Sequence, residues 1–283
     1  MPEGDTIYRA AKTLHGALAG HRVVRFESTL PKLTRIDHDR PLAGRTIESV
    51  ESRGKHLLFH FSGDLILHTH MRMNGAWHVY PAGARWRRPA RDMRIVVATE
   101  RAVAVGFTIP VAEFLTRSDF DRHEALQALG PDLLADDFDR AAVLVRMHAR
   151  QHEPIGDVLL NQRVVAGIGN VFKSEILFAA GVNPFTPTSE LPDAALERVI
   201  DIARKLLRVN VLDGRRSLAP ARGRRTTNSL HPGKGLWVYE RSGDPCRKCG
   251  ATIRFRKTGI DARGTYWCPR CQKSAATEDT VAD

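Results

Sequence analysis

The sequence predicts an α+β fold, in which an N-terminal helix and a β-sandwich precede a helical domain that ends in a β-hairpin. Three observations support this fold class. Short β-like runs separated by glycine and proline fill residues 22–108, as is typical of sandwiches and barrels. After residue 120 the apolar residues recur at helical spacing. All four cysteines fall between residues 246 and 271.

The spacing of the apolar residues predicts the individual helices and strands. A first helix is predicted over 5–19, because Ile7, Ala11 and Leu14 share one face and Gly20 follows at a position that suits a helix end. Strands are predicted at 22–27, 46–51, 56–61, 64–69, 94–99 and 102–107. Helices are predicted at 121–129, 138–150, 156–162, 171–180 and 193–212, and an arginine-rich loop at 213–235.

Composition and charge restrict the class of protein. The chain has 283 residues, of which 42% are hydrophobic, so it can bury a core. It contains no apolar run near the roughly 18 residues of a membrane span, and its N-terminus does not resemble a secretory signal. The net charge of +11 favours a polyanionic partner. Nucleic acid is preferred over a membrane, and a basic protein with no such partner remains open.

The four cysteines predict a metal site. Cys246 and Cys249 form one C-x2-C pair, and Cys268 and Cys271 form a second pair after eighteen residues. This spacing is typical of a zinc ion held by four thiolates, with no position left for substrate. We therefore expect one structural Zn²⁺ at the ends of a β-hairpin, rather than four ordinary buried thiols.

A glycine-rich turn joins two of the predicted helices. Gly167 and Gly169 allow the backbone to turn tightly, and Asn170 is well placed as the N-cap of the helix that follows. The free amides at such a helix end can bind a phosphate. The third glycine of a dinucleotide-binding fingerprint is missing. A plain helical hairpin capped by asparagine is the alternative.

The N-terminus offers a nucleophile. Because Pro2 is small, Met1 should be removed, which leaves a secondary α-amine. The pKa of an α-amine is about 7.7–8.0, against about 10.4 for lysine, so much of it is neutral near pH 7.5. Attack of this amine on a sugar carbon gives an iminium, an electron sink for elimination. Glu3 could act as general acid or base; an ordinary helix start is the alternative.

These features occur together and in order, and the combination resembles the formamidopyrimidine-DNA glycosylase / endonuclease VIII family. The resemblance covers nearly the whole chain. The start Gly4-Asp5-Thr6 is closer to the endonuclease VIII branch in its actinobacterial form. The resemblance to the family rests on four motifs, namely Met1-Pro2-Glu3-Gly4-Asp5, Ser52-Arg53-Gly54-Lys55, Gly167-Ile168-Gly169-Asn170 and the four cysteines.

The resemblance implies a role for each matching residue. Pro2 would be the Schiff-base nucleophile and Glu3 the acid that assists opening of the sugar ring. Lys55 would contact a phosphate and assist proton transfer. The family's phosphate-binding positions match Asn170, in the helix–two-turn–helix, and Arg263, in the zinc hairpin. Glu175 matches a carboxylate near the N-terminal amine.

A further pair of residues is predicted to fill the gap left by an extruded nucleotide. The segment His70-Met71-Arg72-Met73-Asn74-Gly75 aligns with the family's void-filling loop, which makes Arg72 and Met73 the candidates. The triplet Arg72-Met73-Asn74 differs from the glutamine-leucine-tyrosine wedge of the endonuclease VIII branch, and Met73 matches the purine branch. A core methionine is the alternative.

The resulting prediction is a bifunctional DNA glycosylase/AP lyase of base excision repair that removes oxidised pyrimidines and cuts by β,δ-elimination. Alternatives are the same chemistry on oxidised purines, a non-catalytic zinc-ribbon DNA-binding protein and an RNA-binding zinc-ribbon protein. Damaged DNA is the expected partner. A monomer without a small-molecule cofactor or a membrane is expected, in the cytoplasm and associated with the nucleoid through DNA.

The predicted domain organisation has four parts. Residues 1–120 form the catalytic helix and β-sandwich, and residues 121–235 the helical DNA-binding domain with the helix–two-turn–helix. Residues 236–273 form the four-cysteine zinc finger. Residues 274–283 form a flexible tail.

Overall fold

The computed structural model describes residues 2–216, 224–229, 231, 233–259 and 262–273. The predicted tail at 274–283 and part of the predicted loop at 213–235 lie outside these residues. The chain divides into two compact units, Met1–Ala128 and Leu129–Asp283.

The first unit begins with a helix and continues mainly as β-structure. Its helices are α1 (Gly4–Leu18), α2 (Pro31–Asp39), α3 (Arg117–Arg122) and α4 (Glu124–Gln127). Its strands are β1 (Arg25–Ser28), β2 (Ile47–Arg53), β3 (His56–Phe61), β4 (Leu65–His70), β5 (Ala76–Pro81), β6 (Met93–Ala98), β7 (Ala102–Phe107) and β8 (Val111–Leu115).

The eight strands form two four-stranded antiparallel sheets, with the orders β1-β6-β7-β5 and β2-β3-β4-β8. Alternate residues of β3, such as Leu57 and Phe59, enter a shared core together with Ile95 and Val97 of β6. The apolar stripe of α1 packs into the same core, because its buried residues Ile7, Ala11, Leu14 and Leu18 recur at helical spacing. The predicted helix and β-sandwich are therefore confirmed.

Three elements of this unit were not predicted, namely α2, β5 and β8. Helix α2 begins with Pro31, a residue suited to a first helical turn, but buries only Leu33 completely. The single helix predicted over 121–129 is wrong. His123 has the extended angles φ −70° and ψ 102°, and its ring accepts the Leu126 amide hydrogen, so it ends α3 and caps α4.

The second unit is helical and ends in a hairpin. Its helices are α5 (Arg140–His148), α6 (Ile155–Leu160), α7 (Asn170–Ala180) and α8 (Asp193–Arg216). Strands β9 (Arg254–Thr258) and β10 (Arg263–Trp267) pair antiparallel. The α+β class and the C-terminal hairpin are confirmed. Among the helices in the described residues, none is long and apolar enough to cross a membrane.

Helix α7 lies at the centre of the second unit, because nearly all of its residues are buried. Gly181 ends the helix in the left-handed conformation at φ 68°, as a residue without a side chain does most easily. At the other end the structure corrects one prediction. The N-cap is Gly169, with φ −120° and ψ −165°, and Asn170 is the first helical residue.

Candidate active site

The N-terminal residues place a buried carboxyl group beside a partly exposed position. The Glu3 side chain is completely buried, whereas Pro2 is partly exposed. The Glu3 carbonyl accepts the amide hydrogens of Thr6 and Ile7 at 2.9 and 3.1 Å, which begins α1. The first turn of a helix thus fixes the backbone of the predicted acid next to the predicted nucleophile.

Lys55 lies in the tight turn between β2 and β3. Arg53 and His56 are paired across the two strands, so the turn consists of Gly54 and Lys55. Gly54 has a φ of 59°, a left-handed angle that glycine adopts without strain. The Lys55 side chain is partly exposed, directly before the first residue of β3.

The segment after β4 forms a turn that exposes Arg72 and Met73. The Gly75 amide donates to the Met71 carbonyl at 2.9 Å, and a Cβ at Gly75 would lie 2.5 Å from that oxygen. Arg72 has a φ of 49°, and its amide donates to Nδ1 of His70 at 3.0 Å. Met73 is 55% exposed, so it is not a core methionine.

A chain of histidines behind Lys55 was not predicted. His56 Nδ1 lies 2.8 Å from His68 Nε2, and His68 Nδ1 lies 2.9 Å from Glu113 Oε1. The same carboxylate oxygen lies 3.1 Å from His123 Nε2. We call these four residues the histidine chain. Histidine at 56 and 68 on one face of neighbouring strands was the available signal, but Glu113 and His123 are distant in sequence.

The hydrogen bonds of the histidine chain fix which nitrogens carry protons. His123 Nδ1 accepts the Leu126 amide hydrogen, so its Nε2 carries the proton that Glu113 accepts. Burial, followed by the charges of His68 and His70, lowers the pKa of His56 to about 3. His68, Glu113 and His123 are close enough to hold a metal. However, His123 has no free lone pair at Nε2, which favours a hydrogen-bonded network over a metal site.

Asn170 lies at the start of α7 with an unusual polar environment. Its side chain is nearly buried, and its Oδ1 has no hydrogen-bond partner among the described residues. Buried polar atoms in folded proteins are generally paired, so such an atom calls for an explanation. The position at a helix N-terminus is one at which anions bind favourably.

A buried lysine connects α7 to the zinc hairpin, and sequence reasoning missed it. Lys173 is completely buried, and its Nζ donates to Thr265 Oγ1 at 2.7 Å and to the Gly264 carbonyl at 3.4 Å. Arg263, the predicted phosphate contact, is the preceding residue of β10 and is exposed. Lys173 therefore fixes the strand that carries Arg263 against the helix that carries Asn170.

The structure places Glu175 in the interior of the second unit. Its carboxylate accepts the amide hydrogens of Trp237, Val238 and Tyr239, each at 2.8 Å, and the hydroxyl hydrogen of Thr226. Each bond to a charged acceptor is stronger than a neutral one. Glu175 consequently organises the segment that leads into the four-cysteine module.

The four cysteines converge on one point. The Sγ atoms of Cys246 and Cys271 are 4.0 Å apart and those of Cys249 and Cys268 are 3.4 Å apart, and all four lie within 4.8 Å of one another. Zinc–sulfur bonds of about 2.3 Å in a tetrahedron give sulfur separations of about 3.8 Å. The residues therefore fit one structural zinc ion, as predicted.

Three family models match the chain, in the order of its parts. They are the formamidopyrimidine-DNA glycosylase N-terminal domain over residues 1–109, the formamidopyrimidine-DNA glycosylase H2TH domain over 129–219, and the zinc finger found in FPG and IleRS over 243–273. Among curated proteins, the "Probable endonuclease 8 2" of Streptomyces coelicolor is 41% identical over 98% of this chain and 95% of its own length.

The chain belongs to the formamidopyrimidine-DNA glycosylase / endonuclease VIII family. Another relative, the "DNA-(apurinic or apyrimidinic site) lyase Nei2" of Mycolicibacterium smegmatis, is 38% identical and covers 97% of this chain and all of its own. These findings confirm the predicted family, its similarity to actinobacterial endonuclease VIII proteins, and the predicted enzyme class.

The fold of the family is also found among solved structures. The formamidopyrimidine-DNA glycosylase of Lactococcus lactis, solved with DNA that contains an AP site, matches with a TM-score of 0.79 at 23% identity. The match covers 96% of this chain and all of that one. At this identity the similarity establishes the fold alone.

Proposed function

We propose that this chain removes oxidised pyrimidines from DNA through a Schiff base at Pro2 and then cuts the strand by β,δ-elimination. The observation that carries the proposal is the completely buried Glu3 carboxyl directly beside the partly exposed Pro2. Carboxyl side chains are rarely buried completely. A carboxyl held next to an amine nucleophile is suited to proton transfer during attack and ring opening.

The chemistry begins with the Pro2 amine after removal of Met1. The nitrogen bonds to C1′ of the damaged nucleotide while the bond to the base breaks, and Glu3 supplies a proton for opening of the sugar ring. The resulting iminium accepts the electron pair released when a C2′ proton leaves, and the 3′ phosphate departs. A second elimination then releases the 5′ phosphate, after which hydrolysis frees Pro2.

Three polar residues would bind phosphates near the lesion. Lys55 would act from the β2–β3 turn, Asn170 from the start of α7 and Arg263 from β10. The position of Asn170 supports this assignment, because its amide nitrogen can donate to a phosphate at the N-terminus of α7, where anions bind favourably. The exposure of Arg263 on a strand fixed by Lys173 is consistent with a group held ready for a phosphate.

Two further assignments concern the extruded nucleotide. Arg72 and Met73 would fill its place in the duplex, which the exposed turn after β4 supports. Glu175 would act on DNA indirectly, through the segment that contains Trp237, Val238 and Tyr239.

The choice of pyrimidine lesions rests on the branch of the family. The start Gly4-Asp5-Thr6 and relatives that are named endonuclease 8 both favour it. The exposed Met73 favours the alternative, oxidised purines, because methionine at this position matches the purine branch. Direct comparison of lesions is therefore part of the test.

The test is borohydride trapping of untagged protein with DNA that carries thymine glycol, 8-oxoguanine or an abasic site. We expect a covalent adduct that maps to Pro2, with thymine glycol trapped better than 8-oxoguanine. The matched control is the same protein with an acylated Pro2 nitrogen, which should bind DNA but neither trap nor cut, since an amide nitrogen is not nucleophilic.

Each outcome separates two alternatives. Cutting by the acylated protein would refute Pro2 as the nucleophile. Stronger trapping with 8-oxoguanine than with thymine glycol would show that the enzyme prefers oxidised purines. If folded, zinc-loaded protein binds DNA but traps none of the substrates, the non-catalytic DNA-binding alternative is correct.

We also propose that damaged DNA is the partner and that the chain acts as a monomer in the cytoplasm, without a diffusible cofactor. The four proposed parts are residues 1–120, 121–235, 236–273 and 274–283. The net charge of +11 supports the nucleic-acid partner.

A further inference from the structure

A second basic segment lies in the first unit, between β5 and β6. The loop of residues 82–92 joins β5 to β6, and we call it the arginine loop. It carries Arg85, Arg87, Arg88 and Arg91, and its one carboxylate is Asp92. Among the described residues, none of the four guanidinium groups forms an ion pair, and all are exposed or partly exposed. Four uncompensated charges within seven residues attract an anion.

The backbone of the arginine loop is fixed by its own contacts. The Arg87 amide donates to the Tyr80 hydroxyl at 3.1 Å, and the Ala84 amide donates to the Pro81 carbonyl at 3.2 Å. The Trp86 ring packs edge-on against buried Phe107, with 5.9 Å between ring centroids. A preorganised loop loses less conformational entropy when it binds a ligand.

The strand register shows where the arginine loop lies within the unit. Phe107, the last residue of β7, is paired with both Ala76 of β5 and Met93 of β6. The Arg88 guanidinium carbon lies 6.0 Å from the Phe107 ring. Because the exposed turn of Arg72 and Met73 leads directly into Ala76, Arg88 lies at the same end of this sheet as that turn.

The pKa of His78, a residue of β5, supports the same position of the arginine loop. Burial lowers the pKa of His78, and the charges of Arg88 and Arg87 lower it further. Two of the four arginines therefore lie close enough to β5 for their charges to act on it. β5 is also the strand into which the proposed void-filling turn leads.

We propose that the arginine loop is a second phosphate-binding surface, which holds the backbone of duplex DNA beside the damaged nucleotide. This inference rests on the proposed function, since it assumes that DNA lies against the turn of Arg72 and Met73. Guanidinium groups bind phosphates through paired hydrogen bonds. A lipid surface fits less well, because the one large apolar side chain, Trp86, is committed to Phe107.

The test compares two variants with equal loss of charge. The first changes Arg85, Arg87, Arg88 and Arg91 to glutamine. The matched control changes four exposed cations of α1, α2 and the residue after α2, namely Lys12, Lys32, Arg35 and Arg40, to glutamine. The dissociation constant for duplex DNA with an abasic-site analogue is measured from low to moderate salt.

Each phosphate contact contributes about 0.9 to the salt slope of log K. If three or four arginines bind phosphates, the slope of the arginine-loop variant should fall by about 3, and its affinity by at least tenfold. The control should change the slope by less than about 1. Equal changes in both variants, or an unchanged slope in the arginine-loop variant, would overturn the proposal.

A second readout separates this proposal from the proposed chemistry. Borohydride trapping at saturating protein should be equal in the arginine-loop variant and the wild type. If the wild type forms no trapped adduct but the salt slopes of the arginine-loop variant and the control variant still differ, the proposed Schiff-base chemistry is refuted. The proposal that the arginine loop binds phosphates is then retained. If the variant does not fold, Arg85→Gln with Arg91→Gln removes two of the three exposed charges, and the slope should fall by about 2.

Discussion

Lys173 is completely buried and joins α7 to β10 in the second unit. Burial of a lysine is costly unless its ammonium group is hydrogen-bonded. Here Thr265 and Gly264 accept from it, and both lie beside Arg263 in β10. The buried Lys173 thus positions the strand that carries the exposed Arg263.

We expect Lys173→Met to weaken DNA binding only through Arg263. Methionine fills a similar volume but removes the donor to Thr265 and Gly264, so the free energy of unfolding should fall by about 1–3 kcal/mol. The measurement is a double-mutant cycle of Lys173→Met and Arg263→Ala, with the dissociation constant for abasic DNA as readout. A coupling energy of at least about 0.5 kcal/mol is expected.

Lys173→Arg is the conservative control, because arginine retains the donors, and it should restore part of the affinity. Strictly additive effects of the two substitutions would show that Lys173 does not position Arg263. A Lys173→Met protein that has lost its zinc would instead assign to this lysine a role in the stability of the module.

At the scale of elements, the histidine chain joins β3, β4, β8 and the start of α4. Burial is the largest cause that lowers the pKa of His56 to about 3, and it also lowers the pKa of His68. The network lies directly behind Lys55, which precedes His56.

This network predicts how stability depends on pH. The pKa of His56 is 6.5 in the unfolded chain and about 3 in the fold. Between these values the unfolded chain binds more protons, so stability falls as the pH decreases from about 6.5 towards 3. The melting temperature should fall by several degrees from pH 7.5 to pH 5, and His56→Asn should reduce that fall.

His38→Asn is the matched control, because the His38 side chain is 88% exposed and lies outside the network. It should leave the pH dependence unchanged. If His56→Asn and His38→Asn have the same pH dependence as the wild type, the histidine chain does not determine acid sensitivity.

The sequence predicted elements better than the contacts between them. The period of α1 and the spacing of the cysteines are local signals, and both led to correct predictions. The pairs Lys173–Thr265 and His68–Glu113 are separated by 92 and 45 residues, so no local pattern could reveal them. Helix α2 was missed because a helix that buries one side chain completely has little periodicity to detect.

At the scale of the whole molecule, the zinc module is joined to the rest of its unit by buried polar contacts. Gln272 accepts the Cys268 amide hydrogen at 3.0 Å and donates to the Val182 carbonyl at 2.9 Å. Phe178 of α7 stacks on Trp237 with 5.5 Å between ring centroids. Metal binding and the packing around α7 are therefore coupled.

Cys268→Ser should lose the zinc ion and, with it, most of the DNA affinity, because a module of this size has little core without its metal. The measurements are zinc content by mass spectrometry and the dissociation constant for abasic DNA. Lys248→Gln, which lies between Cys246 and Cys249 without being a ligand, is the control and should retain zinc. Full affinity without metal would contradict a structural role for zinc.

The amide oxygen of Asn170, which has no partner among the described residues, has a consequence for evolution and engineering. A buried polar atom without a partner costs about 1–3 kcal/mol in the resting protein. Replacing the Asn170 side chain with an apolar one of similar size would therefore raise the melting temperature and remove the proposed phosphate contact. A selection for heat tolerance alone would tend to discard this asparagine, whereas a selection that also requires repair would keep it.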